Sequence, residues 1–244
     1  MFIDVHCHLD HFDNIEKIVS NARRARVELI ITQGINEETN QKALELGKKF
    51  PEILVALWLY PIDSLKLNDR ELEQIAQEIK QNKKRIVAIG EVGLDLKESQ
   101  DLERQKKAFR AMIEIALELD VPIIVHSRKA EKECIEELES AGVKKVIMHC
   151  FSGKLILAKR IIENKWFLSI PSSVKNSEHF QKIVELTPIE QLLCETDSPY
   201  LHPDRKFPNE PCNVKVSYEM IAKIKNMKLK DVEKKIEENY YLLF

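Results

Sequence analysis

Two histidines stand at i and i+2 in the apolar opening of the chain, Ile3-Asp4-Val5-His6-Cys7-His8. Alternate side chains of a strand share a face, so His6 and His8 can converge on one ion. Further along, apolar runs lead into Glu91, His126 and His149, and Asp197 follows just after another such run. A strand interior has no use for these groups unless something offsets the cost of burying them, and a bound divalent cation does so. Imidazole nitrogen and carboxylate oxygen suit Zn²⁺, Mn²⁺ and similar ions. The six residues exceed what one tetrahedral ion needs. One carboxylate can bridge two ions roughly 3.5–4 Å apart, a pairing that activates water and stabilises both oxygens of a displacement. Glu91 is well placed to bridge, and Asp197 to bind an ion and take the proton of the attacking water.

A lone histidine at a strand end is most simply a hydrogen-bonded structural residue. Four of the chain's seven histidines at such positions, one pair as His-x-His, point instead to ligands. The other three, His11, His179 and His202, read as surface or loop residues.

The elements that must carry these groups alternate regularly. Short β-rich runs fall at Phe2–His6, Leu29–Thr32, Ile53–Leu59, Ile86–Ile89, Ile123–Val125, Val146–Met148, Trp166–Ile170 and Leu192–Cys194. Charged segments of helical spacing lie between them. Leu102, Phe109, Met112, Ile113, Ala116 and Leu119 make one apolar stripe, and 69–83 and 154–164 are similar. Pro122 stops the preceding helix. Strict βα alternation predicts a parallel sheet, and eight units predict closure into a (β/α)8 TIM barrel whose strand C-termini gather the site at one mouth. No GxGxxG follows the first run, which argues against an open doubly wound sheet. An irregular, proline-rich stretch, 198–213, then precedes two helical segments near 214–225 and 229–243, the last an extra C-terminal helix. At 244 residues, with no Pro/Gly/Ser linker, the chain reads as a single domain over 1–244.

Composition narrows the class. Lys+Arg is 38 against Asp+Glu 40, a net charge of −2 that gives no broad footprint for DNA or anionic membrane. The five cysteines form no CxxC pair, so they read as small buried residues in a reducing cytosol rather than as a disulfide framework. No charged n-region or apolar h-region opens the chain, and no apolar run approaches a membrane span. The expectation is a cytoplasmic protein with no membrane association and no obligate protein partner.

Five segments carry a specific resemblance: Asp4-Val5-His6-Cys7-His8-Leu9, Gly90-Glu91-Val92-Gly93-Leu94-Asp95, Val125-His126-Ser127-Arg128-Lys129-Ala130, His149-Cys150-Phe151-Ser152-Gly153 and Glu195-Thr196-Asp197-Ser198-Pro199-Tyr200-Leu201. In order and spacing they resemble the signatures of the TatD-related deoxyribonucleases, of the amidohydrolase superfamily. Asn209-Glu210-Pro211 and the ending 239–244 are similar to that family's as well. The resemblance implies a metal-dependent hydrolase of DNA phosphodiesters, trimming from a 3′ end, with single strands or 3′ ends as substrate. It implies two divalent ions (Zn, Mg or Mn) on His6, His8, Glu91, His126, His149 and Asp197, with Glu91 bridging and Asp197 as general base.

Arg128, two residues past His126, has the planar fork that suits a phosphate; otherwise it is a solvated first-turn helix residue. Ser152-Gly153, read as a helix start, would offer N–H groups to an anion or serve as an N-cap. Three positions depart from the family: Tyr60-Pro61 where His-Pro is usual, Leu96 after Leu94-Asp95, and Pro208 before Asn209. All three are expected to shape the substrate pocket. They leave two alternatives to a DNA phosphodiesterase: a barrel hydrolase of another ester or amide, such as an aminoacyl linkage on tRNA, and a non-catalytic binding barrel. A phosphodiesterase needs cations at the mouth, and Lys97, Arg128, Lys154, Arg205 and Lys206 are the candidates.

Overall fold

Each β-branched run pairs with the next in the chain, because a helix of suitable length returns the backbone to the same end of the sheet. The structure, a computed structural model, describes all 244 residues. Its strands are β1 (Phe2–Cys7), β2 (Val27–Gln33), β3 (Ile53–Leu57), β4 (Ala88–Asp95), β5 (Ile123–Arg128), β6 (Val146–Met148), β7 (Phe167–Pro171) and β8 (Leu192–Glu195). They form one eight-stranded sheet in chain order, parallel throughout. The segment after β8 closes it onto β1: Asp197 N–H donates to His6 O at 3.0 Å and His8 N–H to Ser198 O at 2.7 Å. The buried Asp4 carboxylate reinforces that seam, accepting from Thr196 N–H at 2.9 Å and Thr196 Oγ1 at 2.6 Å. The result is a (β/α)8 barrel.

The helices are α1 (Ile15–Arg24), α2 (Glu37–Lys49), α3 (Pro61–Ser64), α4 (Asp69–Gln81), α5 (Leu102–Leu119), α6 (Glu131–Ala141), α7 (Leu155–Glu163), α8 (Glu178–Leu186), α9 (Val214–Ile224) and α10 (Leu229–Leu243). Local chemistry sets their starts. The Asn14, Asn36 and Asn68 side chains cap α1, α2 and α4, the latter two through reciprocal capping boxes. On α5, Phe109, Met112, Ile113, Ala116 and Leu119 are buried, as the stripe requires, and Leu102 is half-buried. Helix α10 is the extra C-terminal helix. It is tied to the barrel by Asn239, whose amide donates to Ile189 O at 2.7 Å and Leu192 O at 2.8 Å.

Strand β4 differs from its expected length. The apolar run stops at Ile89, but the strand continues to Asp95, so Glu91 lies within it rather than at its end. Its register against β5 shifts between Ile89 and Val92. Gly93 permits this: it has φ +137°, and a Cβ there would stand 1.9 Å from His126 O. Pairing across the barrel therefore extends β4 through two glycines that its own β-propensity does not favour. His126 likewise lies inside β5, not at its end.

Candidate active site

The barrel brings all six predicted residues to one mouth. His6 Nε2 and His8 Nε2 lie 3.3 Å apart. Glu91 Oε2 is 3.5 Å from each of them, and Asp197 Oδ1 is 3.5 Å from His6 Nε2 and 3.7 Å from His8 Nε2. A tetrahedral ion with donors at about 2.0–2.2 Å has donor–donor edges of roughly 3.3–3.6 Å. The five separations, 3.3–3.7 Å, are close to such edges, and His6, His8 and Asp197 form a group that could hold an ion. The other carboxylate oxygen of Glu91 faces a second group, with Oε1 2.6 Å from His126 Nδ1 and 3.2 Å from His149 Nε2. On the far sides of the His6 and His8 rings, His6 Nδ1 and His8 Nδ1 are buried with no hydrogen-bond partner in the protein.

Two carboxylates that the sequence reading did not single out hold the second group. His126 turns Nδ1 inward because its Nε2 lies 3.0 Å from Asp95 Oδ2. His149 turns Nε2 inward because its Nδ1 lies 3.1 and 3.2 Å from the two oxygens of Glu195. Both acids are wholly buried. Such partners fix the tautomer and raise the basicity of an imidazole ligand. Their signal was available: Asp95 follows Glu91 by four residues and Glu195 precedes Asp197 by two, each in a run otherwise apolar.

Electrostatics divide the histidines. Burial, with His149 alongside, pulls His6 down to about 4. Burial and then His6 lower His8. Burial pulls His126 the same way, but the Asp95 and Glu91 hydrogen bonds outweigh it and raise the group to about 9. His149 is likewise raised, the Glu195 and Glu91 charges overcoming burial. Burial would raise Glu91, yet His149 and His126 hold its carboxyl well below the usual range. Asp197 goes the other way, pushed up by burial. Its backbone lies in the left-handed region at φ +54°.

A cavity of about 620 Å³ opens above these groups. Arg128 and Ser152 line it, as do His11, Tyr60, Cys150 and Tyr200. Arg128 closes β5 rather than opening a helix, and its NH1 lies 3.3 Å from Glu98 Oε1 and 4.0 Å from Asp95 Oδ2. Ser152 is not at a helix start either: α7 begins at Leu155, after Lys154, so the chain turns helical only beyond the buried Gly153. Of the other candidate cations, Lys97, Lys154, Arg205 and Lys206, none borders the cavity. Among the three departures from the family pattern only Tyr60 does so; Leu96 and Pro208 lie outside its wall. His11, read as a surface residue, is exposed but stands at the mouth in the 3₁₀ turn after β1, its ring 6.0 Å from that of Tyr200. His179 sits against Phe151 O at 3.2 Å, and His202 Nδ1 accepts from Asp204 N–H. No helix is long and apolar enough to cross a membrane.

Comparison with known proteins gives the family and the fold. The family described as TatD related DNase matches residues 3–244. The chain is 38% identical over 241 residues to a protein of Methanocaldococcus jannaschii named uncharacterized metal-dependent hydrolase MJ1582, covering 98% of this chain and 94% of that one. It is 31% identical over 257 residues to human deoxyribonuclease TATDN3, with 99% and 94% covered. The crystal structure of YjjV, a TatD homolog from Escherichia coli, superposes with a TM-score of 0.92 at 27% identity, over 100% of this chain and 97% of that one. With the family model matched over residues 3–244, a 38% identical relative covered almost end to end and a shared barrel, the chain belongs to the TatD-related DNase family of metal-dependent hydrolases.

Proposed function

We propose that the protein hydrolyses DNA phosphodiester bonds, removing nucleotides from an unpaired 3′ end, with two divalent ions (Zn, Mg or Mn) held by His6, His8, Glu91, His126, His149 and Asp197. The observation that carries this reading is the division of Glu91. Its Oε2 faces the His6–His8–Asp197 group and its Oε1 faces the His126–His149 group, so one side chain serves two ligand sets. When bound, a pair of ions supplies acidified water and neutralises charge on the phosphoryl oxygens.

The chain's own residues do the rest. His6 and His8 are kept neutral by burial and present Nε2 lone pairs. Asp197 is the general base: a carboxyl pushed up by burial holds a proton more readily than an exposed one. The Arg128 guanidinium reaches a phosphate of the strand, and Ser152 borders the same space. Tyr200, about half exposed at 47%, and His11 beside it offer aromatic surface to an unpaired base. A cavity of about 620 Å³ admits a strand end rather than a duplex face. The human relative's name, deoxyribonuclease, supports DNA as the substrate class.

One observation favours a second reading. Arg128 is the sole lysine or arginine on the cavity wall, and it faces Glu98. That suits a less charged substrate, such as an aminoacyl ester on tRNA. The two are separated by incubating metal-loaded protein with 3′-labelled single-stranded DNA and, in parallel, with aminoacylated tRNA. Early release of the 3′ label is expected. Intact DNA beside rapid deacylation would transfer the function to the second reading.

A further inference from the structure

We infer that Tyr60 is a positioning residue for one ion only, the one between Glu91, His126 and His149, and that it acts through Asp95. The inference rests on the two-ion reading above. It begins with how the Asp95 carboxylate is held. Its Oδ1 accepts the backbone N–H groups of Lys97 at 2.9 Å and Glu98 at 3.0 Å. Its Oδ2 accepts the Tyr60 hydroxyl at 3.0 Å and faces His126 Nε2 at 3.0 Å. A carboxylate oxygen has two lone pairs. The turn after β4 takes one end of the carboxylate, and the phenol and the imidazole share the other.

With Tyr60 on one lone pair of Oδ2, the remaining one is aimed at His126. In the metal-free protein Nδ1 faces Glu91 at 2.6 Å; when an ion displaces the Nδ1 proton, His126 keeps its hydrogen on Nε2 and turns the Nδ1 lone pair to the ion. Take the hydroxyl away and Oδ2 has a free lone pair, with Arg128 NH1 already at 4.0 Å to compete for it. The carboxylate can then turn away from the imidazole. Tyr60 is itself fixed. Its N–H donates to Ile35 O at 3.0 Å, Pro61 opens α3 behind it, and its ring packs edge-on to His126 at 5.3 Å and 66°. The opposite ligand group has no such device. His6 Nδ1 and His8 Nδ1 are buried without a partner, so nothing connects them to Tyr60. The half-buried phenol also borders the cavity. The pocket wall and a ligand of one ion are thus joined through two side chains.

The test titrates metal-free protein with Mn²⁺ alone, by calorimetry and by the electron paramagnetic resonance of free Mn²⁺, in wild type, Tyr60→Phe, Asp95→Asn and the double variant. Phe keeps the ring and removes only the hydroxyl. One of two binding events should weaken by about 10–100-fold in Tyr60→Phe, the usual cost of losing a partner behind a ligand, while the other stays put. Asp95→Asn should weaken the same event at least as much, and adding Tyr60→Phe to it should change nothing more. Equal shifts of both events, no shift, or fully additive losses would each overturn the assignment. If Asp95→Asn fails to fold, the selective loss in Tyr60→Phe still decides. A single event in wild type would sink the two-ion reading itself, and this inference with it.

Discussion

Glu195 lies within β8, wholly buried, and receives His149 Nδ1 at 3.1 and 3.2 Å on its two carboxylate oxygens. Ser169 Oγ, from β7, donates to the same carboxylate at 2.5 Å. One acid, two strands behind His149 in the barrel order, thus decides which nitrogen that histidine offers to the mouth. Glu195→Gln keeps the shape and removes the charge. Ion affinity at the His126–His149 group should fall about 10–100-fold, with the fold retained. Metal titration beside circular dichroism checks this, and unchanged affinity would deny Glu195 its role.

Asp197→Asn should leave the fold and most ion uptake intact while turnover drops. An amide has no carboxylate to take the proton of the attacking water, and loss of a general base costs about 10²–10⁴ in rate. The measurement is kcat on a 3′-labelled single strand at saturating ion. Near-wild-type kcat would return Asp197 to a purely ligating role.

Arg128→Ala should weaken kcat/KM on an oligonucleotide without changing ion content. A hydrogen bond to a charged group is worth about 1.5–3 kcal/mol, roughly 10- to 150-fold. Glu98→Gln should act in the opposite direction, because it frees the guanidinium from a partner 3.3 Å away. That gain is small, since exposed pairs contribute about 0–1 kcal/mol. Kinetics on one oligonucleotide in both variants, with elemental analysis, gives the answer; indifference of kcat/KM to both changes would make Arg128 a structural end to β5.

Ion uptake should strengthen as pH rises. Metal-free His126, raised to about 9 by Asp95 and Glu91 against the pull of burial, holds a proton at neutral pH. Ligation through Nδ1 needs a lone pair, so binding expels a proton. The sign follows: affinity falls as pH drops below about 9 and levels off above it. Mn²⁺ titration across this range, in buffers of different ionisation enthalpy, should show a positive slope and released protons. Affinity flat from neutral pH upward would show that His126 is already neutral.

The barrel was legible because eight β-branched runs and their helical spacers each state their own period; β6 (Val146–Met148) has the residues the sequence suggests. The six candidate ligands stood out in the sequence because imidazoles and carboxylates at the ends of apolar runs need something to offset their burial, although Asp4, in the same kind of run, finds that in the seam with Thr196 instead. What stayed hidden depended on partners distant in the chain. Asp95 and Glu195 acquire meaning only when β5 and β6 bring His126 and His149 against them. The extension of β4 past Gly90 and Gly93 is imposed by pairing with β5, not by local preference. His11 is a surface residue by type, and the turn after β1 alone carries it to the cavity mouth beside Tyr200. Lys97, Lys154, Arg205 and Lys206 read as mouth cations by position in the chain, yet their loops carry them outside the cavity wall.

The shared role of Glu91 is tested most directly by diffraction from crystals of the Mn²⁺-reconstituted protein, with an anomalous difference map. Two peaks are expected, one among His6, His8, Asp197 and Glu91 Oε2, the other among His126, His149 and Glu91 Oε1. A single peak at full occupancy, or a second peak away from Glu91, would contradict it.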